Sequence, residues 1–256
     1  MKKIISLLLV MVITVGCVST LWSCSDNNQD DGSIEGEDSK DDIMGTGACE
    51  YLETRNTEGR DIKYVEMCVK GYGRVVILLD ATTAPVTVAN FISLVESGFY
   101  NGLTFHRIIT DFMIQGGDPR GNGTGSSANT IKGEFDSNGH INSISHLPGV
   151  ISMARGEDPN SASCQFFICN ADASESLDGD YAAFGYVVEG MSVIYQITED
   201  VFPKTKYASY YGDWSIDYTY GTYKHYVWSY LGNGAVENDA DKPVIKYIKV
   251  LESWEK

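Results

Sequence analysis

The first regular pattern along the folded part of the chain is that of a β-hairpin. Residues 63–69 and 74–79 are rich in Val, Ile, Leu, Tyr and Met, and most of these types favour strands. Gly71-Tyr72-Gly73 lies between the two runs and supplies turn residues. Two such runs around a short glycine-containing turn predict a pair of antiparallel strands.

Later apolar segments predict helices and further short strands. Apolar side chains at positions 88, 91, 92 and 95 follow a helical period, with Pro85 suited to the first turn and Gly98 to the exit. Short apolar runs within 103–118 and 147–169 predict more strands, residues 187–197 predict a second short helix, and residues 244–250 predict a closing strand. We therefore expect a mainly β fold, a closed antiparallel β-barrel capped by one or two helices.

The first 23 residues have the pattern of an export signal. Lys2 and Lys3 precede an apolar run that extends from Ile4 to about Trp22. Leu21-Trp22-Ser23-Cys24 resembles a bacterial lipobox, whereas Cys17 follows a small glycine but lacks the aliphatic residue three positions earlier. We expect residues 1–23 to be a lipoprotein signal peptide and Cys24 to be the lipidated residue. Lipidation of Cys17 and a cleaved signal without lipid are the alternatives.

Residues 24–59 show no hydrophobic pattern. The stretch from 25 to 47 carries eight acidic residues against one lysine, Lys40, and almost no large apolar side chain. Such a segment buries too little apolar surface to offset the entropy lost on ordering, so we expect a disordered tether. Residues 60–256 have the length of one compact domain. The expected protein is a monomer outside the cytoplasm, held on the periplasmic or cell-surface face of a bacterial membrane by its lipid alone.

Charge and cysteine spacing restrict the partners further. The net charge of −16 argues against nucleic acid and anionic lipid, both of which need a basic face. No C-x₂-C spacing occurs and the four histidines are scattered, so we expect no metal and no cofactor. Cys49 and Cys68 are candidates for a disulfide in an oxidising compartment. Cys164 and Cys169 lie five residues apart on one predicted strand, and we expect them to be buried free thiols.

Residues 105–118, FHRIITDFMIQGGD, concentrate the candidate chemistry. Arg107 is the one basic side chain of the run apart from the neighbouring histidine. Strand alternation places Arg107 with Ile109 and, after the break, Met113 with Gln115, so a charge, a thioether and an amide would line one wall. From spacing alone, the alternative is a surface arginine flanked by core strands.

This run resembles the signature segment of the cyclophilins, a family of peptidyl-prolyl cis/trans isomerases. Upstream, APVTVANFISLVESGFYNGLTFHR (84–107) is similar to the family's first helix and the turn into the signature. Downstream, GVISMAR (149–155), SCQFFICN (163–170) and LDGDYAAFG (177–185) are similar to three further family blocks, in the same order and near the same spacing. The resemblance covers roughly residues 61–200 and the last strand, and implies a cyclophilin-like barrel.

The resemblance also implies a role for each matching residue. Arg107 would be catalytic, and Gln115 would hydrogen-bond the substrate backbone. The pocket for the proline ring would comprise Phe112, Met113, Phe167 and Leu177. The neighbouring groove would comprise Ala154, Arg155, Gln165 and Tyr181, the last standing where many members have histidine. The implied function is isomerisation of X-Pro bonds in exported polypeptides without metal, nucleotide or nucleophile, and a non-catalytic module that binds proline-containing peptides is the alternative.

Two departures from the family pattern carry expectations of their own. Ser176 stands where many members have a tryptophan that lines the pocket rim and helps to bind cyclosporin, so we expect weak binding of that drug. An aromatic-rich insertion at about 202–240 separates the EGM segment (189–191) from the last strand. Period-two spacing from Trp214 to Tyr230 predicts a hairpin turning at Gly221-Thr222. Its two alternatives are a flap that packs on the barrel and a platform that recognises peptide or glycan.

Overall fold

The structure, a computed structural model, describes residues 57–202 and 234–254. Eight strands form one antiparallel sheet: β1 Ile62–Val69, β2 Gly73–Asp80, β3 Thr104–Ile109, β4 Met113–Asp118, β5 Val150–Met153, β6 Phe166–Cys169, β7 Ala183–Glu189 and β8 Ile245–Leu251. Three α-helices accompany them: α1 Pro85–Glu96, α2 Ser174–Leu177 and α3 Met191–Val201. The strand order is β3-β4-β6-β5-β7-β2-β1-β8, and the sheet curls into a half-barrel. The predicted mainly β fold is therefore confirmed.

The predicted first hairpin is also confirmed. β1 pairs antiparallel with β2, and the pairing runs from Ile62 opposite Asp80 to Val69 opposite Gly73. Gly71 in the turn has a φ of 80°, a left-handed conformation that glycine adopts without steric cost. β8 pairs with the other side of β1, so the strand predicted at 244–250 lies at the sheet edge, one residue later than expected.

Helix α1 matches its prediction and packs against strands β2 and β8. Val88, Phe91 and Val95 are buried on one face of the helix. The Phe91 ring centroid lies 5.2 Å from that of Phe184 and 5.6 Å from that of Phe166, within the range of favourable aromatic pairs. The helical period in the sequence thus identified the core-facing side correctly.

The second helix begins later than predicted. Residues 187–189 continue strand β7, and α3 begins at Met191. Gly190 separates the two elements with a φ of 81°, and a Cβ atom there would lie 2.2 Å from the Arg74 carbonyl oxygen. Position 190 requires a left-handed conformation and has no room for a side chain, so glycine fits there. The strand therefore ends before Gly190 and the helix starts after it. The short helix α2 was not predicted, so three helices accompany the sheet where one or two were expected.

Buried apolar side chains fall into separate clusters on the two sides of strands β3, β4 and β6. The main core, which includes buried residues of α1 and α3, contains Phe105, Ile108 and Ile114. A smaller cluster on the other face comprises Ile109, Phe112, Met113, Phe167, Cys169, Ala173 and Leu177, with Ala154 and Tyr181 packed against it. Successive residues of a strand point to opposite faces, so the β3–β4 hairpin contributes to both clusters.

Three cysteines lie in the described residues. Cys164 and Cys169 are buried free thiols, as predicted. Cys68 is disulfide-bonded, and its pairing with Cys49 stays a prediction because residue 49 lies outside the described ranges. The signal peptide, both candidate lipidation sites, most of the acidic tether and the predicted aromatic hairpin also lie outside them. No helix within residues 57–202 and 234–254 is long and apolar enough to cross a membrane.

Candidate active site

A β-bulge in strand β3 sets the direction of Arg107. The cross-strand partner changes from Gly116 at Phe105 to Gln115 at Arg107, so His106 is an extra residue in the ladder. With strict alternation, Phe105 and Arg107 would share a face. With the bulge, Phe105 lies in the main core and Arg107 lies on the opposite face. Bulges next to functional sites re-aim side chains in this way.

Asn170 stabilises the turn between β3 and β4 through hydrogen bonds from its side chain to the backbone. Its Oδ1 accepts a hydrogen bond from the Phe112 backbone N–H (2.7 Å), and its Nδ2 donates to the Ile109 carbonyl (2.9 Å). Asp111, at the tip of the turn, has a φ of 55°, a conformation that Asp tolerates better than most residues. These contacts fix Phe112 at the edge of the smaller apolar cluster. Asn170 ends the SCQFFICN block, but no pattern in the sequence marks its side chain as a support of the site.

One cavity on this face brings together nine of the ten site residues that the sequence predicted. Its lining consists of Arg107, Phe112, Met113, Gln115, Ala154, Arg155, Phe167, Leu177 and Tyr181. The side chains of Phe112, Met113, Phe167 and Leu177 are buried and form an apolar floor. The tenth residue, Gln165, is not part of the lining and lies behind Gln115.

Arg107 projects over this floor. Its Nη1 donates to Gln115 Oε1 (3.2 Å) and lies 3.9 Å from Met113 Sδ, while its guanidinium carbon lies 6.0 Å from the centroid of the Phe112 ring. Burial lowers the pKa of the Arg107 guanidinium. An arginine nevertheless stays protonated in proteins, so the cavity contains a fixed positive charge beside apolar surface.

A chain of hydrogen bonds continues from Arg107 to a glycine-rich loop. Gln115 Nε2 donates to Gln165 Oε1 (3.0 Å), and Gln165 Nε2 donates to the Gly125 carbonyl (2.7 Å). Asp118 anchors that loop by accepting from the backbone N–H groups of residues 120, 122 and 123. Burial raises the pKa of Asp118, but these hydrogen bonds outweigh it and hold the pKa below its ordinary value. The Gln115 amide is therefore oriented from two sides.

Arg155 is the second arginine that lines the cavity. Its guanidinium carbon lies 4.8 Å from the centroid of the Tyr181 ring and 5.2 Å from that of Phe135. Its Nε donates to the Asp180 carbonyl (2.9 Å) and its Nη1 to the Gly156 carbonyl (2.9 Å). Tyr181 in turn meets Phe167 edge to face, with ring centroids 5.9 Å apart.

His146 packs against Phe167, one of the residues of the apolar floor. Its ring stacks on Phe167 with centroids 6.0 Å apart, its Nδ1 lies 2.7 Å from Asp178 Oδ1, and its Nε2 lies 3.0 Å from Ser152 Oγ. Burial lowers the pKa of His146 despite the nearby carboxylate. Ser152 is fully buried, so this serine, histidine and aspartate cannot reach a substrate as a nucleophilic triad would. No sequence pattern predicts this support, because Phe167 and Asp178 lie 20 or more residues after His146 in the chain.

Known metal-site geometry is not found in the described part of the chain. Within residues 57–202 and 234–254, no group of three or more His, Cys, Asp and Glu side chains is placed to hold a metal ion. The cavity offers two guanidinium groups, an amide and an apolar floor, a set suited to binding an apolar ring beside a polar group that accepts hydrogen bonds.

Comparison with known proteins gives a consistent result. The family described as "Cyclophilin type peptidyl-prolyl cis-trans isomerase/CLD" matches residues 64–210. The chain is 43% identical over 140 residues to peptidyl-prolyl cis-trans isomerase A of Dickeya dadantii, covering 51% of this chain and 71% of that protein. It is 40% identical over 141 residues to a peptidyl-prolyl cis-trans isomerase of Helicobacter pylori, covering 54% of this chain and 82% of that protein.

Solved structures resemble the fold as well. A cyclophilin type peptidyl-prolyl cis-trans isomerase of Cryptosporidium parvum is 23% identical with a TM-score of 0.57, over 75% of this chain and 99% of that one. A second crystal structure of that protein, determined in the presence of the dipeptide Ala-Pro, gives 24% and 0.56, over 74% of this chain and 99% of that one. At this level of identity the likeness concerns the fold alone.

Proposed function

The chain belongs to the cyclophilin-type peptidyl-prolyl cis-trans isomerases, a family of enzymes, and from this premise we propose that it isomerises X-Pro bonds in exported polypeptides. One observation carries the proposal. The Arg107 guanidinium is held over a floor of Phe112, Met113 and Phe167, where it donates a hydrogen bond to the side-chain oxygen of Gln115. Slow proline isomerisation limits the folding of many chains, so such an activity assists folding outside the cytoplasm.

The reaction requires a twist rather than bond cleavage. The double-bond character of the peptide C–N bond creates a barrier of about 18–20 kcal/mol. A catalyst lowers that barrier if it binds the twisted bond more tightly than either planar form. In the twisted state the prolyl nitrogen becomes pyramidal and regains its lone pair. A preorganised guanidinium that donates a hydrogen bond there stabilises the transition state selectively.

Each residue of the cavity lining has a part in the proposed reaction. We propose that Phe112, Met113, Phe167 and Leu177 hold the proline ring. Arg107 supplies the hydrogen bond to the twisted amide, and Gln115 binds the substrate backbone. Ala154, Arg155, Gln165 and Tyr181 border the groove that takes the residues beside the proline. The support is their common location on or next to one cavity.

Exchange spectroscopy on a short Ala-Pro peptide tests the proposal. Spontaneous cis/trans exchange takes tens to hundreds of seconds. We expect the full-length protein, at a small fraction of the peptide concentration, to make this exchange much faster. The alternative, a non-catalytic module that binds proline-containing peptides, predicts shifted peptide resonances without faster exchange. That second result would reject the isomerase.

We also propose that the protein is an extracytoplasmic monomer anchored by lipid on Cys24, with residues 1–23 as signal peptide and 24–59 as tether. The disulfide at Cys68 supports this location, because disulfides persist mainly in oxidising compartments. Labelling expressing cells with a radioactive fatty acid tests the anchor. We expect label in the wild type and in Cys17→Ala, and none in Cys24→Ala. Loss of label only in Cys17→Ala would move the anchor to that residue.

Finally, we propose that the sheet closes into a barrel between β8 and β3. Hydrogen bonds support closure: the Ile245 N–H donates to the Leu103 carbonyl (2.8 Å) and the Phe105 N–H to the Pro243 carbonyl (3.0 Å). Thr104 and Val244 also form an antiparallel bridge. We expect the amides of Phe105 and Ile245 to exchange with deuterium as slowly as those inside β1 and β2. Fast exchange at both would indicate an open seam.

A further inference from the structure

The charge of the cavity wall is opposite to that of the whole protein. The chain has a net charge of −16. The nine residues that line the cavity nevertheless include two arginines, Arg107 and Arg155, and no aspartate or glutamate. A concave site with low-dielectric walls concentrates the field of such charges, so the cavity favours ligands that carry negative charge.

Arg155 has donors left over for a ligand. Its Nε donates to one carbonyl and its Nη1 to the carbonyls of Gly156 and Glu157, which leaves Nη2 without a hydrogen bond to any described residue. In the described ranges, Arg155 forms no ion pair. Glu157 and Asp180, although acidic, contact this guanidinium through their backbone oxygens.

The position of this guanidinium is fixed before any ligand binds. The rings of Phe135 and Tyr181 both lie close to it, and the backbone carbonyls orient its plane. A guanidinium held in this way loses little conformational entropy when it binds. Its Nη2 can donate to a carboxylate, and such a charge-assisted hydrogen bond is stronger than one to the neutral oxygen of an amide side chain.

We propose that Arg155 is a specificity-determining residue that selects substrates with an acidic residue, Asp or Glu, directly beside the proline. Arg107 and Arg155 line the same cavity, so a segment whose proline lies on the floor beside Arg107 extends along the rim that carries Arg155. The inference rests on the proposed isomerase function, since it assigns a substrate class to that same site.

Two peptide series measure the preference. One places Glu, Gln or Lys directly before the proline, and the other places the same residues directly after it. For the full-length protein we expect the Glu peptide of at least one series to exceed its Gln partner in kcat/KM by about 3- to 10-fold, as one partly buried charge pair allows. The Lys peptide should fall below the Gln peptide. Raising the salt concentration should shrink the difference, because salt screens a pair near the surface.

Substitutions at Arg155 test its part in the preference. In Arg155→Gln the Glu-to-Gln ratio should fall to about 1, and in Arg155→Glu the order should invert in favour of Lys. The ratio is taken within each variant, so a general loss of activity from disturbed Tyr181 or Phe135 packing cancels. A merely structural role for Arg155 would lower all rates together and leave the ratio unchanged.

The outcomes separate the inference from the function on which it rests. Equal kcat/KM for Glu and Gln peptides in both series, with the Gln peptides still isomerised, would overturn the preference and leave the isomerase intact. A preference that persists in Arg155→Gln would overturn the assignment to this residue. Failure to accelerate any peptide would instead reject the proposed function.

Discussion

The two faces of the β3–β4 hairpin have different surroundings, although their residues alternate along the same strands. Phe105, Ile108 and Ile114 are fully buried in the main core, where Phe105 meets Phe166 edge to face. Arg107 and Gln115 face the cavity and are only partly buried. One face therefore contributes mainly to the free energy of unfolding, and the other contributes mainly to the site.

The contrast shows how one hairpin serves both purposes. The core face is packed on all sides, so its side chains fix the position of the strands. The cavity face uses that fixed backbone to hold a charge and an amide in place at little further entropic cost. Substitutions of neighbouring residues should therefore separate stability from catalysis.

The largest expected effect on stability comes from the core face. Ile114→Ala should lower the free energy of unfolding by about 2–5 kcal/mol, because it leaves a cavity among fully buried side chains. Gln115→Ala, one residue along and on the other face, should cost no more than about 1.5 kcal/mol, since it removes two part-buried hydrogen bonds and leaves no cavity in the main core. Urea denaturation of both variants checks the difference. Equal losses would show that the two faces do not differ in this way.

A pH effect on stability is expected from His106 at the bulge. Burial lowers its pKa from 6.5 to about 4, and neither ring nitrogen has a hydrogen-bond partner among the described residues. Between about pH 6.5 and pH 4, His106 is protonated in the unfolded chain but stays neutral in the folded protein. The free energy of unfolding therefore has its full value above about pH 6.5 and decreases as the pH falls toward 4. The expected loss between about pH 7 and about pH 5 is about 2 kcal/mol.

His106→Met should remove most of that pH dependence, because it replaces the ring with an apolar side chain. His146, whose pKa burial also lowers, adds a residual dependence of the same sign. Urea denaturation of wild type and His106→Met at the two pH values gives the comparison. Equal pH dependence in the two proteins would show that His106 is not protonated differently in the folded and unfolded states.

The smallest of these effects concerns the cavity rim and should leave stability unchanged. Ser176 is exposed next to Leu177, and its hydroxyl donates to the Ala173 carbonyl (3.1 Å). Ser176→Trp should tighten cyclosporin inhibition by about 10-fold, because a large aromatic side chain adds apolar contact at the rim. Ser176→Ala is the matched control and should resemble the wild type. If wild type and Ser176→Trp were inhibited alike, the rim would not decide drug affinity.

Much of the fold was predictable because its determinants are local. The first hairpin and α1 follow from alternation, helical period and turn residues that lie within a few positions of one another. The cavity residues were predictable for another reason, since four ordered sequence blocks resemble a known family. Resemblance placed Arg155 and Tyr181 beside Arg107, which no spacing rule would have done.

The features that the sequence did not predict depend on contacts between distant segments. The bulge at His106 is a property of pairing with β4, and alternation within β3 alone assigns Phe105 to the wrong face. Asn170 and His146 act through partners tens of residues away. The start of α3 was misplaced because apolar residues lie on both sides of Glu189-Gly190, Val187 and Val188 before it and Met191, Val193 and Ile194 after it. The requirement for glycine at 190 comes from the close approach of the Arg74 backbone, which is distant in the chain.

The most direct test of the central claim is the isomerisation rate of an Arg107→Ala variant, measured by exchange spectroscopy on an Ala-Pro peptide. Loss of one preorganised donor should reduce activity by about 10²- to 10³-fold, or about 2.7–4 kcal/mol, while urea denaturation shows a folded protein. Arg120→Ala, which removes an exposed arginine outside the cavity lining, should retain wild-type activity. Near-normal turnover by a folded Arg107→Ala protein would contradict the account.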